Sequence, residues 1–116
     1  MSSTAVINVS NAPHYIWGGI CDGWRLLDEA GLSVTEERMP AGGQEDRHFH
    51  AEATQLFYVL KGRLNIEVDG RVSILNSGDA LSVFPKSKHE VRNDSATDVQ
   101  FLVISAPATH NDKHHS

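Results

Sequence analysis

The sequence predicts an all-β fold, and three observations support this prediction. Short apolar segments recur at regular spacing between residues 32 and 105, and turn residues separate them. Within several segments apolar and polar residues alternate, which is typical of strands with one buried face. No segment of helical length carries apolar residues at the 3.6-residue spacing of an amphipathic helix. Many short strands with frequent turns favour a sandwich or a small barrel.

The 116 residues are enough for one domain with one hydrophobic core. We therefore expect a single domain over residues 1–116, with its barrel core at about 32–105. Residues 5–30 are expected to add N-terminal strands; within them residues 25–30 are compatible with a helical turn, and residues 24–27 are equally compatible with a strand. The polar residues 108–116 are expected to form a loose tail.

The first strand of the core is predicted at residues 32–39, where apolar and polar residues alternate. Because side chains alternate across a strand, Glu36 and Arg38 share one face, and Glu37 and Met39 share the other. One of these two pairs should face the barrel interior near its mouth.

The middle of the core contains a predicted hairpin. Residues 56–60 are aromatic and aliphatic, as in a buried strand. Residues 64–68 alternate, and residues 72–75 provide the return strand. Asp69 and Gly70 between them form a two-residue turn, because both residue types tolerate a positive φ.

The last strands of the core are predicted at residues 80–84, 89–93 and 99–104. Pro85 ends the first of these because it cannot donate a hydrogen bond to a neighbouring strand. The third is continuously apolar, and we expect it to close the domain.

Three histidines in this β-rich sequence predict a metal site. His48 and His50 are two residues apart, so in a strand both point to one face while Phe49 points away. His89, on another predicted strand, adds a third imidazole. Imidazole suits zinc, copper, iron and nickel. The alternative is a metal-free pocket in which the histidines are hydrogen-bonded.

The composition excludes several classes of partner. The net charge is −5 and the pI is about 5.7, and no run of Lys or Arg provides a footprint for nucleic acid or anionic lipid. No apolar stretch approaches the roughly 20 residues of a membrane span. Cys21 is the only cysteine, so an intrachain disulfide is impossible, which fits a reducing cytoplasm. We therefore expect a cytoplasmic protein without nucleic-acid or membrane partners.

Two sets of residues resemble, in order and spacing, the two sequence motifs of the cupin superfamily. They are Gly42, His48, His50, Gln55 and Gly62, followed by Gly78, Pro85, His89 and Asn93. The resemblance covers residues 32–105. Within the superfamily, the chain most resembles a bacterial group of stand-alone small cupins. It implies a cupin double-stranded β-helix, which is a jelly-roll-like small barrel, holding one divalent metal. The ligands it implies are His48, His50, Gln55 and His89.

Gln55 stands where the family usually has Glu. A neutral ligand set leaves the full +2 charge on the metal, which lowers its affinity and raises its Lewis acidity. Gln55 can ligate through its carbonyl oxygen or hydrogen-bond a metal-bound water. Phe57 and Val59 follow Gln55 at the strand period and are expected to line the same cavity.

The resemblance and the histidines together suggest a metal-dependent enzyme that acts on a small oxygen-bearing metabolite. The metal is zinc, iron, nickel or manganese, and the chemistry is that of a dioxygenase, an isomerase or a lyase. The sequence does not identify the catalytic residues of such an enzyme. Glu45, Asp46 and Glu52 are expected to be solvated loop charges, with an acid–base role near the metal as the alternative. The second possibility is a non-catalytic module that binds a small molecule such as a sugar, and the third is an accessory subunit.

A homodimer is also expected. The N-terminal part, residues 5–24, contains more apolar and aromatic side chains than the barrel needs to close. Tyr15, Trp17 and Trp24 are therefore assigned to the core or to contacts with the partner rather than to substrate binding.

Overall fold

A computed structural model describes residues 5–109 and 112–115. These residues contain eleven strands and no helix, which confirms the predicted double-stranded β-helix. The strands are β1 (His14–Trp17), β2 (Cys21–Asp28), β3 (Ser33–Met39), β4 (His48–His50), β5 (Thr54–Lys61), β6 (Arg63–Val68), β7 (Arg71–Asn76), β8 (Ala80–Val83), β9 (His89–Arg92), β10 (Val99–Ala106) and β11 (Lys113–His115). Within this part of the chain there is accordingly no helix long and apolar enough to cross a membrane.

The strands form two antiparallel sheets. The large sheet has the order β1-β2-β3-β10-β5-β8, and the small sheet has the order β11-β4-β9-β6-β7. In β10, at the centre of the large sheet, every second residue is buried, as expected when one face of a strand covers a core. Residues two apart in neighbouring strands therefore line one interior between the sheets.

The interior changes from polar to apolar along the large sheet. At one end Ser105 on β10 lies opposite Gln55 on β5 and Ser33 on β3. Four residues along β10, Phe101 lies opposite Val59 and is fully buried. The apolar end forms the hydrophobic core, where each large buried side chain contributes about 1.5–3 kcal/mol. The polar end is left for a cavity.

The predicted hairpin is present. Strands β6 and β7 are paired from Arg63–Asn76 to Val68–Arg71. Asp69 and Gly70 connect them with φ values of 48° and 90°, as a two-residue turn requires.

The C-terminal residues differ from the predicted loose tail. Residues 113–115 form β11, which pairs with β4 and places Lys113 opposite His50. Asp112 fixes this segment, because its carboxylate accepts backbone N–H bonds of 2.8–3.0 Å from three consecutive residues, Ala51, Glu52 and Ala53. Composition predicted a loose, solvated tail. The side chains of residues 113–115 are exposed as predicted, but these hydrogen bonds order their backbone. His110 lies outside the described residues.

Candidate metal centre

A cavity of about 420 Å³ opens between the polar ends of the two sheets. The small sheet contributes His48 and His50, and the large sheet contributes Gln55, Phe57 and Glu37. A cavity of this size is in the range of small-molecule sites.

Strand register brings the three histidines together. In β4 His48 and His50 are buried while Phe49 between them is less so, as the two-residue period predicts. Strand β9 runs antiparallel to β4, with His89 directly opposite His48. The candidate ligand nitrogens of the three side chains all lie within 4.8 Å of one another. They can therefore hold one metal ion.

Each imidazole is oriented by a backbone carbonyl. The Nδ1 atoms of His48, His50 and His89 lie 2.8, 3.0 and 3.0 Å from the carbonyl oxygens of Asp46, Asp112 and Ser87. Because a carbonyl oxygen only accepts, Nδ1 carries the proton and Nε2 keeps its lone pair. The Nε2 atoms of His50 and His89 are buried and have no hydrogen-bond partner among residues 5–109 and 112–115. Such hydrogen bonds to the outer nitrogen are typical of metal-ligating histidines.

The electrostatics keep these imidazoles neutral. Burial lowers the pKa of all three, and it lowers that of His48 to about 3. The carbonyl hydrogen bonds oppose this effect and are outweighed. The positive charge of Lys113 lowers the three pKa values further. Metal binding requires the neutral imidazole, so the histidines are in the competent state at neutral pH.

Gln55 presents an oxygen to the same cavity. Its Nε2 donates a 3.0 Å hydrogen bond to Ser105 Oγ, which fixes the amide. Its Oε1 is buried and has no partner in the described part of the chain. Two unpartnered imidazole nitrogens and an unpartnered amide oxygen are a donor set that a divalent transition metal accepts. The residues present therefore fit such an ion.

The two predicted pocket residues behave differently. Phe57 lines the cavity, and its ring centroid lies 6.2 Å from that of His89. Val59 is fully buried in the hydrophobic core and is not among the cavity-lining residues. Strand period gave the correct face, but β5 passes from the cavity into the core between these two residues.

The wall opposite the histidines contains groups that the sequence did not assign to the site. Glu37 lines the cavity, and its Oε2 accepts a 2.8 Å hydrogen bond from the Tyr15 hydroxyl. Burial raises the pKa of Glu37 to about 7, while hydrogen bonds from Tyr15 and Thr35 oppose the rise. Trp17 lines the cavity too and packs against the core. Tyr15 and Trp17, which the sequence assigned to the core or to partner contacts, therefore both line the cavity.

Glu45 is also part of the cavity wall. It was expected to be a solvated loop charge, but its side chain is only 18% exposed. Burial raises its pKa to about 8, and the nearby charge of Glu37 adds to the rise. Its carboxylate lies 3.7 Å from Lys113 Nζ and 3.8 Å from His48 Nδ1. For Glu37 the sequence held one signal of its position, namely strand alternation, which puts Glu37 on the same face of β3 as Met39. Met39 is fully buried.

Comparison with known proteins agrees with the resemblance that the sequence motifs show. A family model described as a cupin domain matches residues 35–105. An uncharacterized protein of Methanocaldococcus jannaschii, MJ1618, is 27% identical over 65% of this chain and 60% of its own length. Quercetin 2,3-dioxygenase of Bacillus subtilis is 36% identical over 53% of this chain, which is 18% of the enzyme. The chain thus spans less than two thirds of these curated relatives.

One solved structure shows the fold over nearly the whole chain. The polyketide cyclase RemF of Streptomyces resistomycificus superposes with a TM-score of 0.84. The match covers 97% of this chain and 85% of that protein, at 19% sequence identity. At this level of identity the likeness extends to the fold alone.

Proposed function

This chain belongs to the cupin domain family, and from that premise we propose that it is a metal-dependent enzyme acting on a small oxygen-bearing metabolite. In this proposal His48, His50 and His89 hold one divalent transition metal, and Gln55 ligates it or orients a water beside it. The observation that carries the proposal is the set of three buried imidazoles with ligand atoms within 4.8 Å of one another. Their orientation by three backbone carbonyls supports it.

The donor set suits Lewis-acid chemistry. When bound, the metal would polarise an oxygen of the substrate. The protein's own contribution is a ligand set without a negative charge, so that the metal keeps its full +2 charge. Hydroxyl, amide and ammonium groups of the cavity wall are available to hold the other oxygens of the substrate, namely Ser33, Thr35, Gln44, Ser105, Thr109 and Lys113.

Two classes of reaction are compatible with this site. An iron-loaded site would support a dioxygenase, and the likeness to quercetin 2,3-dioxygenase supports that class. A zinc, nickel or manganese site would support an isomerase or a lyase.

The many polar side chains of the cavity also suit a non-catalytic module that binds a sugar. A catalytic role is favoured because two protonatable carboxyl groups, Glu37 and Glu45, line the same cavity.

Metal stoichiometry tests the proposal. We expect one equivalent of metal per chain in untagged protein, and loss of that metal in the variants His50→Ala and His89→Ala. His115→Ala is the matched control, because it removes an exposed imidazole on β11, outside the cluster. Elemental analysis after gel filtration decides. Equal metal content in all four proteins would contradict the site, and so would loss of metal in the control alone.

We propose further that the protein is a cytoplasmic homodimer. The outer face of the large sheet exposes Tyr58 and Leu60, which alternate along β5 with the buried Phe57 and Val59. A second copy of the chain would bury this face. Light scattering of the wild type should then give twice 12.7 kDa, and Leu60→Glu should lower the mass. Val72→Glu on the small sheet is the control, and a wild-type mass near 12.7 kDa would refute the dimer.

A further inference from the structure

We infer that Glu37, held by Tyr15, is the acid–base residue of this cavity, and that the substrate carries an acidic C–H next to a carbonyl group. The inference rests on the proposed function and makes it specific. It selects proton transfer at carbon, as in an isomerase or a lyase, over reaction with O₂.

The first support is the way the large sheet builds the pair. Tyr15 on β1, Gly23 on β2 and Glu37 on β3 are direct neighbours across three strands. The Tyr15 ring passes over Gly23, where a Cβ atom would lie 2.2 Å from the ring. The absence of a side chain at residue 23 therefore allows the Tyr15 hydroxyl to reach across β2 and donate to Glu37 Oε2 at 2.8 Å.

The second support is position. Glu37 and Tyr15 belong to the large sheet and line the same cavity as His48 and His50 of the small sheet. A substrate that fills the cavity would touch the metal ligands on one side and the carboxyl group on the other. Such an arrangement suits a molecule whose carbonyl oxygen and adjacent C–H are handled by different groups.

The third support is the charge environment of Glu37. The groups that face it are Tyr15 from β1, Cys21 from β2, Thr35 from β3, Glu45 from the loop before β4 and Lys113 from β11. Burial dominates and raises the pKa of Glu37 to about 7, and the Tyr15 and Thr35 hydrogen bonds and the Lys113 charge act in the opposite direction. A carboxyl group with a pKa near neutrality can both take and return a proton under physiological conditions.

The step balances without an oxidant. The Glu37 carboxylate takes a proton from the carbon next to the carbonyl, and the C–H electron pair moves towards the carbonyl group. The protonated Glu37 then returns the proton. In a substrate with a hydroxyl on the deprotonated carbon, return of the proton to the former carbonyl carbon, with transfer of the hydroxyl proton to the former carbonyl oxygen, gives an isomer. In a substrate with a hydroxyl on the carbon beyond, the electron pair expels that hydroxyl, which takes the proton from Glu37 and leaves as water with an unsaturated product.

Hydrogen–deuterium exchange tests the inference directly. Zinc-loaded full-length protein is incubated in D₂O with pyruvate or dihydroxyacetone, and loss of the C–H signal is followed by proton NMR. We expect the wild type to accelerate exchange over the metal-free protein for at least one probe. Glu37→Gln should reduce that rate by about 100-fold or more, which is the usual contribution of a general base. Glu36→Gln on the outer face of β3 is the matched control and should keep the wild-type rate.

A second variant separates a proton-transfer role from a structural one. Tyr15→Phe removes a hydrogen bond that favours the charged carboxylate, so the pKa of Glu37 should rise. The midpoint of the exchange rate against pH should then move to higher pH, which a packing defect would not cause.

The outcomes distinguish the two proposals because zinc content is measured for every variant. Zinc-loaded wild type without accelerated exchange would overturn the inference. An unchanged rate in Glu37→Gln would overturn it as well. Failure of the wild type to hold zinc, or any other divalent transition metal, would contradict the proposed function itself.

Discussion

The two walls of the cavity respond to the same burial in opposite ways. On the small-sheet wall, burial lowers the pKa of His48, His50 and His89, so these bases stay neutral. On the large-sheet wall, burial raises the pKa of Glu37 to about 7, so this acid tends to keep its proton. In both cases the low-dielectric interior disfavours the charged form. The result is one wall suited to a metal cation and another suited to moving protons.

Among the residues that support the histidines of the small-sheet wall, we expect substitution of Asp112 to weaken metal binding most. Its backbone oxygen accepts from His50 Nδ1, and its carboxylate fixes the loop after β4. Asp112→Ala removes the carboxylate that holds the C-terminal segment against this loop. The backbone oxygen of residue 112 would then orient the His50 ring less well. We expect the metal Kd to rise by about 10- to 100-fold, as for other residues that orient a ligand.

Chelator competition measures this effect. Asp94→Ala is the control, since it removes a carboxylate that is 54% exposed and bonds Asn65 and Arg92 instead. If the two variants retain metal equally well, the C-terminal segment does not orient the ligand.

A negative charge at residue 55 would make the donor set anionic and so tests the role of the neutral amide. Gln55→Glu should tighten metal binding by about tenfold, since a carboxylate adds a Coulomb attraction to a +2 ion in a partly dehydrated site. It should also lower the Lewis acidity of the metal. The same competition assay measures the change, with Gln100→Glu on the outer face of β10 as the control. Weaker or unchanged retention would place residue 55 outside metal contact.

The smallest expected effect is a pH dependence of stability in metal-free protein. Glu37 ionises with a pKa of about 7 when folded and near 4.5 when unfolded. Between these pH values the folded state binds more protons, so stability falls as the pH rises. The histidines act oppositely, because their lowered pKa values make stability fall as the pH drops below about 6.5.

Glu37→Gln should therefore raise the Tm more at pH 7.5 than at pH 5, by at least about 4 °C, because ionisation of the buried carboxyl group destabilises the wild type by more than roughly 1 kcal/mol extra at the higher pH. Thermal unfolding in the presence of chelator checks this, with Glu36→Gln as the reference. A Tm difference that does not change with pH would mean that Glu37 ionises normally in the fold.

The wall that carries the three histidines was largely predictable from the sequence, whereas the opposite wall was not. A strand with histidines two apart fixes a shared face, and a turn such as Asp69–Gly70 fixes a hairpin. Tyr15 and Glu37 are 22 residues apart, and they meet only because three strands align in register. Alternation likewise gave the correct face for Val59 but not its depth, because depth depends on where the facing sheet closes over the strand.

Gly23 shows that a position can matter to a site through the side chain it does not have. Its backbone is in an ordinary strand, so other residues could adopt its conformation, yet any Cβ atom would displace the Tyr15 ring. In a saturation-mutagenesis map, position 23 should therefore tolerate substitution as poorly as a residue with a reactive group. A search that scores sites by chemically active side chains would pass over it.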